Sequence, residues 1–322
     1  MRILITGGAG YIGSVLTKKL LNRGYAVRAV DSLRHGCESI YQFYKNPAFE
    51  FIKGDLRDDR IQRASLEGIG AVFHLAAIVG DPACKKEPKL AEEINWMASK
   101  ALFDNANEIG IRRFIFASTC SNYGKMVDTE QYVDETGVLN PISWYAELKV
   151  RFEQYLLEAP VNSMVTTSLR FATAYGVSPR MRFDLTVNEF VKDAFLGRKL
   201  KIYGKKFWRP YCHVEDLAQA GICVLETDRN LVDREVFNVG DTSENYQKNM
   251  IADLIKERLP GMRVGFIHKD EDPRDYRVDF NKIKDKLKFQ TTKRVKDGID
   301  EVIKLLGSGL IKDPDSTYYK NT

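Results

Sequence analysis

Thr6-Gly7-Gly8-Ala9-Gly10-Tyr11-Ile12-Gly13 stands between two segments of different periodicity. Before it, Arg2-Ile3-Leu4-Ile5 is a short apolar run of strand type. After it, residues 14–21 place Val15, Leu16, Leu20 and Leu21 on one helical face. Strand, glycine turn and helix form the setting a dinucleotide site requires. Gly7 permits the tight turn, Gly10 lets backbone approach a pyrophosphate, and Gly13 lets the helix close on the sheet. The anion then meets free N–H groups at the helix N-terminus.

The rest of the chain is consistent with that start. Its 322 residues suffice for one large α/β unit or two modest domains. Hydrophobic residues make up 44% and charged residues 29%, a globular balance that supports a sizeable core. A net charge of +5 with interspersed signs does not indicate a nucleic-acid surface, and no apolar run is long enough for a membrane helix. Five cysteines (37, 84, 120, 212, 223) lack C-x-x-C spacing, and four histidines (35, 74, 213, 268) are scattered. Neither set predicts a metal site or a disulfide framework, and a reducing, cytoplasmic setting is expected. The first strand begins at once, leaving no room for a signal peptide.

Further strands are expected at 25–31, 49–56, 71–77, 114–118 and 163–171, with helices near 88–109 and 143–157. Near-continuous apolar strands alternating with helices imply a doubly wound parallel sheet covered on both faces. Beyond residue 172 the pattern loosens. An irregular Arg-rich stretch (172–184) precedes amphipathic segments at 185–196, 214–226, 249–259 and 293–306. The expected organisation is a dinucleotide domain over 1–171 and a mainly substrate-binding domain over 172–313, some of whose segments return to the first core. A polar, frayed tail covers 314–322.

Asp31 ends the second strand, 18 residues past Gly13, where a carboxylate would meet the adenosine ribose hydroxyls of NAD. Arg34 and His35 nearby would suit a 2′-phosphate, leaving NADP open. Tyr145 and Lys149 are four apart on a predicted helix and share a face. That spacing suits hydride chemistry at an alcohol. A phenol is a poor base at neutral pH, and an adjacent ammonium lowers its pKa. Thr119, or Ser118, at the end of the preceding strand would orient the substrate oxygen. His74 and Cys120 read as packed core residues.

With these residues in order, the chain resembles an extended short-chain dehydrogenase/reductase of the nucleotide-sugar epimerase/dehydratase group, to about residue 306. The resemblance implies cofactor contacts at Gly7, Gly10, Tyr11, Ile12, Gly13, Asp31, Asp55, Leu56, Leu75, Ala76 and Ala77, with Tyr145 and Lys149 serving both cofactor and catalysis. Asn95 and Arg170-Phe171 also match the group. Arg209, in Arg209-Pro210-Tyr211-Cys212-His213-Val214-Glu215-Asp216, and Arg274 resemble arginines that meet a nucleotide diphosphate. Thr119, Thr173, Arg182, Leu185, Arg209 and Arg274 are the implied substrate contacts. Helices 88–109 and 143–157 would pair with a second copy in a homodimer, as in the group.

The departures narrow the chemistry. Dehydratases of the group carry Asp-Glu where this chain has Cys120-Ser121, and decarboxylating relatives carry Glu at Ser121. Galactose-type 4-epimerases usually have Asn at Thr173. The expected activity is an NAD-dependent nucleotide-sugar 4-epimerase working through a 4-keto intermediate. The alternatives are a 4-dehydrogenase, for example of a GDP-linked heptose, and a non-catalytic NAD(P)-binding sensor. Nucleotide and sugar stay open.

Overall fold

The computed structural model describes residues 1–204, 206–267 and 274–321. His268 and the Asp272-Pro273 pair that precedes Arg274 lie outside the described residues. Seven parallel strands form the main sheet: β1 (Arg2–Thr6), β2 (Ala26–Asp31), β3 (Phe49–Lys53), β4 (Ala71–His74), β5 (Arg113–Thr119), β6 (Val165–Phe171) and β10 (Glu235–Val239). Their spatial order is β10-β6-β5-β4-β1-β2-β3. The order reverses between β1 and β4, which pair directly, so the crevice at their carboxyl ends is a topological switch point.

Helices cover both faces. On one lie α1 (Tyr11–Asn22), α8 (Val214–Glu226) and α11 (Asn281–Leu287), whose Leu16, Leu217 and Ile283 join the core with Ile3, Ile5 and Val239. On the other lie α2 (Asp59–Leu66), α5 (Ser99–Ile109) and α6 (Trp144–Glu158), packing Leu66, Phe103 and Phe152 on Leu4, Val72 and Phe114. Shorter helices α3 (Asp81–Lys86) and α4 (Pro88–Glu92) follow β4, and α9 (Arg229–Val232) precedes β10. A second core joins α7 (Thr186–Phe195), α10 (Lys248–Arg258) and α12 (Val295–Gly307) to β8 (Lys199–Tyr203), through Val191, Ile251, Ile299 and Ile202. β8 pairs in parallel with β12 (Arg263–Ile267). A three-stranded sheet of β7 (Thr173–Tyr175), β9 (Trp208–His213) and β11 (Asn245–Gln247) lies between the two bodies.

Buried polar groups hold α6 against the sheet. Glu153 of α6 accepts from Arg170 Nη2 at 2.7 Å and from Ser168 Oγ at 2.7 Å. Arg170 Nη1 also donates to the Tyr123 hydroxyl. His74, expected in the core, is 1% exposed and bonded to Thr6 and Ser99 at 2.8 Å each. Burial lowers its pKa to about 3, so the ring is neutral.

Several local expectations change. The strands expected over 49–56 and 71–77 end at Lys53 and His74, because the chain leaves the sheet there to wall the crevice. The helix expected over 88–109 is interrupted by a π-helical stretch at Glu93–Ala98. This turn seats Asn95, 3% exposed, against Ile78, whose N–H and C=O both bond its side-chain amide. The irregular 172–184 stretch contains β7, a strand too short to show periodicity. The tail is not frayed: among 314–321 only Thr317 is exposed. Asp315 bonds Arg198 and Lys192, giving this polar segment fixed partners.

Candidate active site

At the carboxyl ends of β1, β2, β4 and β5 the chain lines a cavity of about 1000 Å³. The glycine loop forms its floor. Gly7 has φ +73°, and a Cβ there would stand 2.9 Å from the Ala76 nitrogen. A Cβ at Gly13 would lie 2.2 Å from the Gly7 oxygen, so only glycine lets α1 approach the turn this closely. Gly10 is the N-cap of α1 and no side chain caps it, which leaves the first-turn amides facing the cavity. Tyr11 lines the cavity, while its hydroxyl donates to Gly176 O at 2.6 Å and ties α1 to the second body.

Asp31 ends β2 at the cavity wall, and its carboxylate accepts from Ala9 N (3.1 Å) and Leu33 N (2.8 Å). Burial pushes its pKa up, against these two hydrogen bonds. Asp55 and Leu56 line the adjoining wall; hydrogen bonding from Arg57 holds the Asp55 carboxyl below its usual range. Leu75, Ala76, Ala77 and Ile12 complete this half of the cavity. A glycine floor that excludes Cβ atoms, uncapped amides and a ribose-distance carboxylate together fit a dinucleotide.

The chemistry-bearing residues face the same space. Thr119 is the last residue of β5, and its Oγ1 accepts from Ser121 N at 3.1 Å. Ser118, the alternative hydroxyl, also lines the cavity, but its Oγ accepts from Asn122 Nδ2 at 3.1 Å. Ser143 caps α6, accepting from Ala146 N at 3.3 Å and donating to Asp81 at 2.6 Å. This fixes the turn that carries Tyr145 and Lys149. Lys149 is 3% exposed, its Nζ donates to Ala117 O at 2.7 Å, and it lies 5.9 Å from the Tyr145 ring centroid. Burial lowers its pKa to about 8. Burial, then the Cys84 and Asp81 charges, push the Tyr145 phenol above its usual value.

On the far wall, Thr173, Arg182, Leu185 and Arg274 line the cavity. Arg182 pairs with Asp184 at 2.6 Å, and Arg274 with Asp81 at 2.9 Å. Arg209 is the exception among the residues picked from sequence. It is 7% exposed and its guanidinium packs on the ring of Tyr276, which itself lines the cavity. Trp144 also turns elsewhere, donating from Nε1 to Pro88 O. Sequence reasoning missed Asp81, Tyr276 and Asn321 as lining residues. Asp81, before a proline at a helix start, reads as an ordinary cap, and Asn321 lies in the polar tail. Among the described residues no group of three or more His, Cys, Asp or Glu side chains is placed to hold a metal. No helix among them is long and apolar enough to cross a membrane.

Fold and site together define an enzyme of the short-chain dehydrogenase/reductase type with a dinucleotide cofactor. Residues 3–240 match the model of the NAD dependent epimerase/dehydratase family. The chain belongs to that family, and NAD is its cofactor. It is 28% identical over 313 residues to UDP-glucuronic acid decarboxylase 1 of Arabidopsis thaliana, covering 94% of this chain and 69% of that protein. Among solved structures it resembles UDP-glucose 4-epimerase with UDP-glucose from Thermotoga maritima at 29% identity and TM-score 0.84, over 96% of this chain and 100% of that one. It also resembles UDP-glucuronic acid 4-epimerase from Bacillus cereus with UDP-glucuronic acid and NAD, at 26% identity and TM-score 0.85, over 96% and 99%.

Proposed function

We propose that this protein is a nucleotide-sugar 4-epimerase. The observation that carries the reading is the shared wall of Thr119, Tyr145 and Lys149 beside the glycine floor, with Ser121 on the wall and a buried Cys120 at the positions where dehydratases of the group carry their acid pair. Asp81, the cavity carboxylate whose charge acts on Tyr145, is occupied by Ser143 and Arg274. Proton chemistry is then concentrated at one carbon, which favours oxidation and re-reduction over dehydration or decarboxylation.

NAD, when bound, supplies a reversible hydride acceptor and a positive ring charge. Tyr145 takes the proton of the C4 hydroxyl. Burial alone keeps its phenol protonated, so it acts as a base only under the combined positive charge of Lys149 and the bound cofactor. Lys149 is held for this role by Ala117 O. Thr119 Oγ1 holds the sugar oxygen in line with Tyr145. Arg182 and Arg274 bring guanidiniums to the far wall, where a diphosphate would lie. The 4-keto sugar turns over in the cavity and Tyr145 returns the proton.

One residue favours a second reading, a 4-dehydrogenase that releases the ketone: Thr173 stands where 4-epimerases of the galactose type usually carry Asn. Purified protein offered UDP-, GDP-, dTDP- and CDP-sugars separates the two. A product of unchanged mass without net NADH is expected. A product lighter by two hydrogens with matching NADH would replace the epimerase reading with the dehydrogenase one.

A further inference from the structure

The C-terminal segment after α12 returns to the cavity, which Asn321 lines, by way of the loop that follows β2. It is anchored first on the second body, where Asp315 accepts from Arg198 Nη2 at 2.5 Å and from Lys192 Nζ at 3.1 Å. Ser316 caps a single 3-10 turn, Thr317–Tyr319. The Tyr318 hydroxyl then donates to Glu38 at 2.7 Å, in the loop that follows β2. Its ring lies so near that loop that a Cβ on Gly36 would come within 2.7 Å of it. The segment therefore ties the second body to the loop that follows β2, the loop that carries the cavity residue His35.

Its last described residues engage the wall itself. Tyr319 O accepts from Phe183 N at 2.9 Å, and Asn321 N donates to Asp184 at 3.1 Å. Lys320 O accepts from Arg180 Nη2 at 3.0 Å. Arg180 lines the cavity and is 2% exposed, yet its Nε and Nη1 have no hydrogen-bond partner among the described residues. A buried guanidinium with idle donors is costly unless an anion completes it. The surroundings suit an anion. Ser178, two residues before Arg180, donates to Tyr11 O at 2.7 Å, which puts this loop against the first turn of α1. Burial and the charges of Arg180, Arg34 and Arg182 lower the His35 pKa to about 4.

We infer that residues 313–321 form a latch that seats Arg180 as a ligand for the phosphates of the bound dinucleotide, so that NAD is retained from one turnover to the next. The inference rests on the epimerase reading and deepens it. An epimerase ends each turnover with its cofactor unchanged and has no need to release it. A dehydrogenase must exchange it.

The test is the rate at which bound NAD is replaced by isotopically labelled NAD, followed by mass spectrometry of protein-bound nucleotide. Three full-length proteins are compared with the natural one, Tyr318→Phe, Arg180→Met and Arg180→Lys, together with a chain ended at Lys312. Slow exchange in the natural protein and exchange at least tenfold faster in the shortened chain and in Arg180→Met are expected. Arg180→Lys, which keeps the charge, should fall between. Tyr318→Phe removes one hydroxyl and leaves the fold intact, so it decides the matter if the shortened chain does not fold. Its exchange should quicken by about threefold to tenfold, the worth of one hydrogen bond. Rates within twofold of the natural protein in Tyr318→Phe and Arg180→Met would overturn the latch. Fast exchange in the natural protein would overturn it too. The mass of the sugar product is read separately, so the epimerase reading can fail while the latch stands, and the reverse.

Discussion

The two walls of the cavity are built in different ways. The wall that holds the glycine floor, Asp31, Thr119, Tyr145 and Lys149 is made from consecutive strand ends and one helix of a single parallel sheet. Its residues are fixed by close backbone approach and buried polar contacts within one sheet and its helices: Gly13 against Gly7, Lys149 Nζ on Ala117 O, and α6 against β6 through Glu153 and Arg170. The opposite wall is gathered from β7, the loop before α7, the segment around Arg274 and the tail near Asn321. These pieces lie far apart in sequence and meet through hydrogen bonds such as Asn321 N to Asp184 and Phe183 N to Tyr319 O, while Arg274 pairs across the cavity wall with Asp81. A rigid wall suits chemistry whose geometry cannot vary. A wall assembled from loops can be re-cut for a different sugar or base without disturbing the first.

If that division holds, changes in the first wall should remove chemistry or stability, and changes in the second, apart from Arg180 and the tail that seats it, should move substrate affinity. The largest effect is expected at Tyr145. Tyr145→Phe removes the proton acceptor and should lower kcat by about 10²–10⁴-fold, the range of general acid–base catalysis. NAD content should be unchanged. Retained turnover would dismiss the assigned base. Next comes Glu153→Ala, which leaves Arg170 buried at 5% side-chain exposure without its carboxylate. Breaking such a pair costs about 3–5 kcal/mol. A urea midpoint that hardly moves would show that α6 is held by apolar packing alone.

The sequence revealed the first wall more fully than the second, for the same structural reason. Strand, glycine turn and helix are local patterns, so the doubly wound sheet, Asp31 and the Tyr145/Lys149 face follow from spacing. The second wall carries little local signal. β7 has three residues, and β9 and β11 are stabilised by pairing with partners remote in sequence. The tail was expected to fray because it is polar. Its order comes from Asp315, Tyr318 and Asn321 each finding a partner more than 100 residues away. Arg209 looks like a cavity residue from its neighbours in sequence, and only the fold shows Tyr276 covering it.

Lys149 offers a sharper test because function and stability pull apart there. Burial lowers its pKa to about 8, against roughly 10.4 for a free lysine. Between those values the unfolded chain binds more protons than the folded one, so wild-type stability should rise with pH across that window. Below about pH 8 the buried ammonium is a cost. Lys149→Met should therefore raise stability at pH 7 by about 1–3 kcal/mol, after the loss of the Ala117 hydrogen bond is offset, while abolishing turnover. Its advantage should shrink toward pH 10. Thermal melts of both proteins across pH 7–10 measure this directly. A destabilised Lys149→Met at pH 7 would mean that the hydrogen bond and the contact of Nζ with the Phe116 ring, 4.6 Å from its centroid, outweigh the desolvation.

The smallest expected effect probes the second wall. Arg182 contributes to the cavity with its guanidinium held by Asp184 at 2.6 and 2.9 Å. Burial raises the Asp184 pKa, but hydrogen bonds and charge from Arg182 overcome it and hold the carboxyl below its usual range. The guanidinium is thus oriented before any ligand arrives, and little ordering cost remains when an anion binds. Arg182→Ala should raise KM for the nucleotide sugar by about tenfold, near 1.4 kcal/mol, with kcat within about twofold. NAD affinity should stay the same, because Arg180, and not Arg182, is the residue of this loop assigned to the cofactor. A fall in kcat at constant KM would place Arg182 with the reacting atoms. A fall in NAD affinity would show that Arg182 joins Arg180 in holding the cofactor.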